Sequence, residues 1–152
     1  MILVDTDVLI ASLRGIDVAR TWLRDARIRT GRLAVSVVTN AEIIGGMLSP
    51  ERREVNRLLL SLRPLPVTDL IAHRVGELRR RYRRSHGSIG LVDYLLAATA
   101  QVHGLELATL NTKHFPMFDD LQPPFGLRIG HRPTAPGHPD TSRAMPLSRS
   151  RS

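Results

Sequence analysis

Apolar and polar positions along this chain fall into two alternating kinds of block. Short, mainly apolar runs at Ile2–Val4, Leu33–Ser36 and Leu105–Thr109 have the length and residue types of strands buried on both faces, and Leu127–Ile129 is a candidate fourth. Between them, apolar residues recur at helical spacing. The pattern predicts a short helix over Val8–Leu13 ending near Gly15, and another over Val18–Ile28 with Trp22 and Leu23 inward. It predicts further helices over Asn40–Leu48 and over Pro50–Leu62, the latter capped by Ser49 with Pro50 at its first position. Asp69–Arg84 places Ile71, Val75, Leu78 and Tyr82 on one face, and Leu91–His103 is the most apolar helix, stopped by Gly104. Pro64-Leu65-Pro66 reads as a break in the chain. Strands separated by helices imply an α/β fold with a parallel sheet covered on both faces.

The pattern stops at His131. Beyond it Pro, Gly, Ser and Arg dominate, so residues 1–130 are expected to form one folded domain and residues 131–152 a disordered basic tail. No apolar run is long enough to span a membrane, and Asp5 and Asp7 stand where a signal peptide would be basic and apolar, which points to a cytoplasmic protein. The absence of cysteine removes disulfides, thiolate nucleophiles and cysteine-ligated zinc. The net charge of +8 is carried almost wholly by arginine, Lys113 being the sole lysine. Guanidinium groups suit phosphate, so nucleic acid is a natural partner, although an acidic protein or a GC-rich coding background explains the same charge.

Three acids stand where the blocks meet. Asp5 ends the first strand, Glu42 follows the run from Leu33 to Ala41, and Asp93 heads the apolar stretch to Ala100. A carboxylate at the C-terminal end of a strand lies where α/β sheets place ligands. Three dispersed acids able to converge suggest a hard divalent cation and a phosphate substrate. Each acid also has a plain structural use. Asp5 fits a turn or cap, and Asp7 fits the cap of a helix beginning at Val8. Thr39-Asn40-Ala41-Glu42 matches a capping box. Asp93 suits a first helical turn, yet beside so apolar a helix a carboxylate needs a partner, and the nearest cations in sequence are Arg79–Arg84.

Four segments together carry a resemblance: Val4–Ile10, Val37–Gly46, Ile89–Ala100 and Leu107–Phe115. In that order they resemble the four blocks of PIN domains, and more narrowly the VapC-type ribonuclease toxins of bacterial toxin–antitoxin pairs. The resemblance covers residues 1–130. It implies a three-layer α/β/α sandwich with a small parallel sheet and a metal-dependent endoribonuclease. It implies that Asp5, Glu42 and Asp93 are the catalytic acids holding Mg2+ or Mn2+, Asp5 and Asp93 directly and Glu42 through a water. Many relatives carry a further acid at the place of Asn111 or of His114. Here Asn111 offers only a carbonyl oxygen, and the missing charge weakens any second metal site. The family also implies a cognate antitoxin, received on apolar helical surface around Ile43, Ile44, Met47 and Leu58–Leu62, and a homodimer. The RNA substrate would meet Arg14, Arg80, Arg81, Arg84 and Lys113.

Two other readings remain open on the residues. Asp5-Thr6-Asp7 after an apolar strand fits the first motif of haloacid-dehalogenase-type phosphatases, with Asp5 as nucleophile and Asp7 as acid/base; Glu42 and Asp93 then have no role. The non-acidic fourth block is compatible with a non-catalytic RNA-binding PIN-like module. Asp119 and Asp120 read as turn residues.

Overall fold

The computed structural model describes residues 1–126, so the expected strand at Leu127–Ile129 and the tail at 131–152 lie outside the described residues. In chain order the elements are β1 (Ile2–Val4), α1 (Thr6–Leu13), α2 (Asp17–Thr30), β2 (Ala34–Ser36), α3 (Val37–Gly46), α4 (Arg52–Leu60), β3 (Arg63–Leu65), α5 (Asp69–Tyr82), α6 (Leu91–His103) and β4 (Glu106–Ala108). Single 3-10 turns precede α4 at Ser49–Glu51 and follow β4 at Thr112–His114.

Side chains alternate across a strand, and that alternation builds the layers. Ile2 and Val4 of β1, Val35 of β2 and Ala108 of β4 join a core with α1, α2, α3 and α4, through Val8, Leu9, Leu23, Ile43 and Val55. Leu3, Ala34 and Leu107, one residue out of phase, join a second core with α5 and α6, through Ile71, Val75, Leu78, Leu96 and Ala97. The sheet is therefore the middle layer of an α/β/α sandwich. Trp22 closes the first core against Phe125, with ring centroids 6.2 Å apart.

All strand pairs are parallel and the order is β3-β2-β1-β4. The chain steps from β1 through β2 to β3 in one direction, then returns past β1 to place β4 on its other side. The reversal falls between β1 and β4, and a crevice opens at the carboxyl ends of strands at such a point.

Several boundaries differ from the sequence pattern. α1 begins at Thr6 because Asp5, not Asp7, is its cap: Asp5 Oδ1 accepts from the Thr6 amide at 2.6 Å. α3 begins at Val37 because Ser36 Oγ accepts from the Val38 amide at 3.2 Å, three residues before the expected start. Ser49 does not cap α4; it opens the 3-10 turn, and Glu51 reaches back to the Leu48 amide at 2.7 Å. Pro64-Leu65-Pro66 is not a break. Arg63–Leu65 is an edge strand, its Arg63 amide donating to the Leu33 carbonyl at 2.8 Å. An edge tolerates Pro64 because an amide there has no neighbour to serve. α6 ends as expected: Gly104 adopts a left-handed conformation (φ 60°), and the Leu105 amide reaches the Ala100 carbonyl at 2.8 Å. Among the described residues no helix is long and apolar enough to cross a membrane.

Candidate active site

β1 and β4 run in register from Ile2 opposite Glu106 to Val4 opposite Ala108. The next residues, Asp5 and Thr109, therefore emerge side by side at the strand ends. The Asp5 amide donates to the Ala108 carbonyl at 2.9 Å, and the Thr109 hydroxyl donates to Asp5 Oδ2 at 2.8 Å. Asp5 is 8% exposed, and among the described residues no arginine, lysine or histidine is paired with it. Burial, then the neighbouring charge of Asp7, push its carboxyl up to about 6, and Asp93 adds a smaller push in the same direction.

Asp7 lies two residues on, in the first turn of α1. Its Oδ2 accepts from the Leu110 amide at 2.9 Å, while its Oδ1 is buried without a hydrogen-bond partner. Burial raises its pKa as well. Asp7 is thus an anchor for the chain leaving β4 rather than a helix cap.

The capping box at Thr39–Glu42 does not form. With Ser36 as the cap, Glu42 falls well inside α3, and the Thr39 hydroxyl is buried without a partner. Glu42 instead crosses to α1, where Oε2 accepts from Thr6 Oγ1 at 2.5 Å. Thr6 is the residue after Asp5, so that hydroxyl places Glu42 beside the end of β1.

Asp93 does fill a first-turn position. Its Oδ2 accepts from the Gly90 amide at 2.9 Å, and the same oxygen lies 3.1 Å from His114 Nδ1. Asn111 Nδ2 lies 2.9 Å from that same ring nitrogen. The Arg79–Arg84 stretch supplies no partner to Asp93.

The acids thus approach one another through intermediaries. Among the described residues no three His, Asp or Glu side chains close into a ready-made ligand set. The donor chemistry nonetheless suits a hard divalent cation: oxygen donors from the end of β1, α3 and the start of α6, a buried carboxylate with no cation among the described residues to neutralise it, and next to it a carboxylate oxygen with no partner among them.

Arg14 and Glu42 line one cavity of about 200 Å3, whose apolar wall includes Ile10, Ile43, Met47 and Val55. Arg80, Arg81, Arg84 and Lys113 are exposed, and the Arg81 guanidinium stands 5.4 Å over the Tyr82 ring. The apolar surface expected around Ile43, Ile44, Met47 and Leu58–Leu62 is partly interior. Ile43 and Leu62 are core residues, 4% and 1% exposed, whereas Ile44 and Leu60 are open to solvent. Asp119 and Asp120 lie in a turn, Asp120 with φ 56°.

Thr6 and the anchoring use of Asp7 are not singled out by the sequence pattern, which sets Thr109 at the end of the expected strand Leu105–Thr109. β4 ends at Ala108, and only the strand register makes Thr109 the neighbour of Asp5.

The PIN domain family model matches residues 2–120. "Ribonuclease VapC10" of Mycobacterium tuberculosis is 63% identical over 135 residues, which span 89% of this chain and all of that protein. "Ribonuclease VapC19" of the same species is 39% identical over 125 residues, 82% of this chain and all of that protein. Among solved structures, a toxin–antitoxin complex from Klebsiella pneumoniae contains a chain with TM-score 0.71 and 28% identity, covering 84% of this chain and all of the other.

Proposed function

The chain belongs to the PIN-domain family, in its VapC-type ribonuclease branch, and from that premise we propose that it is the toxin of a type II toxin–antitoxin pair, a divalent-metal-dependent endoribonuclease. The observation that carries this reading is the placement of Asp5: a buried carboxylate at the reversal point of the sheet, without a cationic partner among the described residues and within the field of Asp7 and Asp93.

Asp5 and Asp93 would hold Mg2+ or Mn2+ directly, with Glu42 on the same site through a water. When bound, the cation supplies Lewis acidity that makes a water nucleophilic near neutral pH and offsets charge on the scissile phosphate. Thr109 holds the Asp5 carboxylate in one orientation through its hydroxyl. Thr6 does the same for Glu42, whose exposed carboxylate would orient the attacking water and take its proton. Asn111, whose backbone amide donates a hydrogen bond to Thr109 Oγ1 at 3.1 Å, presents a neutral polar group beside the acids. Arg14, sharing a cavity with Glu42, would contact the RNA backbone next to the reacting phosphate, and Arg80, Arg81, Arg84 and Lys113 would draw RNA from further away. The partners are RNA, the cognate antitoxin and a second copy of the chain, with Ile44 and Leu60 available as exposed apolar contacts.

The test is cleavage of RNA by the purified chain with Mg2+ or Mn2+, compared with Asp5→Asn and Asp93→Asn. Both variants should lose cleavage while remaining folded; full metal-dependent cleavage by both would remove the assignment. RNA binding by the wild type with no cleavage under any divalent cation would favour the non-catalytic module.

A further inference from the structure

The loop that leads from α5 into α6 carries an aromatic pair that the catalytic reading leaves unused. α5 ends at Tyr82, whose half-buried ring packs against the core shared by α5 and α6. The chain then folds back at once: the Ser85 and His86 amides both donate to the Tyr82 carbonyl, at 3.1 and 2.8 Å. That brings the His86 imidazole to the Tyr82 ring, with centroids 5.9 Å apart and planes at 66°, the edge-on arrangement aromatic pairs favour. A hydroxyl tethers the imidazole as well. Ser85 Oγ lies 2.9 Å from His86 Nδ1 and donates to the Tyr82 carbonyl at 3.2 Å. The carbonyl can only accept and the hydroxyl has one proton, so both contacts are satisfied when Nδ1 carries a proton and donates to Ser85 Oγ. A ring fixed in this way loses little freedom when something stacks on it. His86 is half-buried, so part of the ring still meets solvent.

The surroundings of the pair are cationic. Arg79, Arg80, Arg81, Arg83 and Arg84 are exposed, and among the described residues none of them is ion-paired with a carboxylate. Arg81 lays its guanidinium over the Tyr82 ring. Unpaired cations around a tethered aromatic face suit single-stranded nucleic acid, which brings phosphates for the charges and a base for the ring. An acidic protein segment would use the charges and leave the rings idle.

The pair also stands close to one of the proposed catalytic acids. The Ile89 amide donates to the His86 carbonyl at 3.3 Å, closing a turn with Gly87 and Ser88 at its corner. The ends of such a turn are less than about 7 Å apart, and the next residue adds about 3.8 Å, so the His86 backbone lies within about 11 Å of that of Gly90. The Gly90 amide donates to Asp93 Oδ2.

We infer that Tyr82 and His86 form a stacking platform for one unpaired base of the RNA substrate near the reacting phosphate, with His86 as the face the base meets and Tyr82 as its support. The inference rests on the reading that RNA is the substrate. It narrows that substrate to RNA whose base at this point is splayed out of a helix, as in a loop or a bulge, because a paired base is already stacked on its neighbours.

The experiment measures binding of the full-length chain, at pH 8 and without divalent cations, to two single strands of equal length: oligoadenylate and a ribose–phosphate chain lacking bases. Both carry the same phosphates, so the ratio of affinities reports the bases. The wild type should favour oligoadenylate by about fivefold to a hundredfold, the range for one stacked base. His86→Ala should cut that ratio by about fivefold or more. It should leave the affinity for the base-free chain and the salt dependence unchanged, since an imidazole neutral at that pH releases no counterion from phosphate. His86→Phe, which keeps a ring, should retain most of the ratio. In parallel, the His86 imidazole resonance should move upfield with oligoadenylate and stay in place with the base-free chain. A wild-type ratio of one, or a His86→Ala variant that lowers both affinities equally or neither, overturns the platform. Cleavage is assayed apart from binding. A chain that shows this base preference yet never cleaves RNA would defeat the ribonuclease reading alone, and an active ribonuclease without the preference would defeat the platform alone.

Discussion

Thr109 donates a hydrogen bond to Asp5 across 104 residues of sequence, joining the ends of the two strands that flank the reversal of the sheet. That bond favours the ionised carboxylate, against burial and Asp7, which oppose it. Thr109→Val should therefore raise the Asp5 pKa further and weaken cation binding at neutral pH. Metal titration of the variant at pH 6 and pH 8 checks this. The deficit should be larger at pH 6, and an equal deficit at both would mean that the hydroxyl acts by packing alone.

Asp5 also sets a pH dependence of stability. Its carboxyl titrates near pH 6 when folded, against about 3.9 in an unfolded chain. Between those values the folded state holds more protons, so this group's contribution to stability falls as pH rises from about 4 to about 6 and is level above. Asp7 is shifted in the same direction. Asp5→Asn removes the contribution, and the metal-free variant should be more stable than wild type at pH 7 by about 1–3 kcal/mol, with the gap closing toward pH 4. Urea midpoints of both proteins across that range decide it, and a gap that widens on acidification contradicts the sign.

Thr6 tests whether Glu42 must be held. Thr6→Val keeps the shape and removes the donor to Glu42 Oε2. Because the bond is exposed, stability should change by less than about 1 kcal/mol. Cleavage should fall about tenfold or more in kcat with little change in KM, as expected when a reacting group loses its orientation. A change confined to KM would place Glu42 in substrate binding instead.

Arg14 and Arg80 separate near from distant phosphate contacts. Replacement of either by Gln should lower the slope of log affinity for RNA against log salt by about 1. Only Arg14→Gln, beside Glu42, should also reduce kcat. Unaltered slopes would remove both from the RNA path.

The α3 cap offers a stability test that distinguishes two readings of one segment. Ser36→Ala should cost about 1 kcal/mol, as loss of a cap does. Thr39→Val should be neutral or stabilising, because the buried Thr39 hydroxyl has no partner to lose. Chemical denaturation of both variants measures this directly, and the reverse ranking would restore the Thr39 cap.

How far the sequence could be read follows from where information is local. The helix faces of Asp69–Tyr82 and Leu91–His103, and the stop at Gly104, depend on residues within a few positions of each other, and they appear where the periodicity puts them. Asp5, Glu42 and Asp93 stand out as candidates because each acid interrupts or borders an apolar run. What was hidden depends on pairing. Pro64 looked like a breaker because its tolerance at an edge requires knowing which strand lies beside it. Ser36 was overlooked as a cap because the apolar run continues through Val37 and Val38, and Thr39 with Glu42 imitates a better one. Thr6 and Thr109 are ordinary residues until the β1–β4 register and the packing of α1 on α3 bring them to the acids.

One consequence of β3 concerns growth beyond a single molecule. Because the Arg63 amide points inward to Leu33, position 64 and its counterpart at 66 direct their backbone nitrogens outward, and both are proline. That flank of the sheet therefore offers no hydrogen at those positions to a foreign strand, and stacking of molecules strand-to-strand is blocked there. The sheet thus gains a seal on that side from two residues, the second of which follows directly on the end of β3.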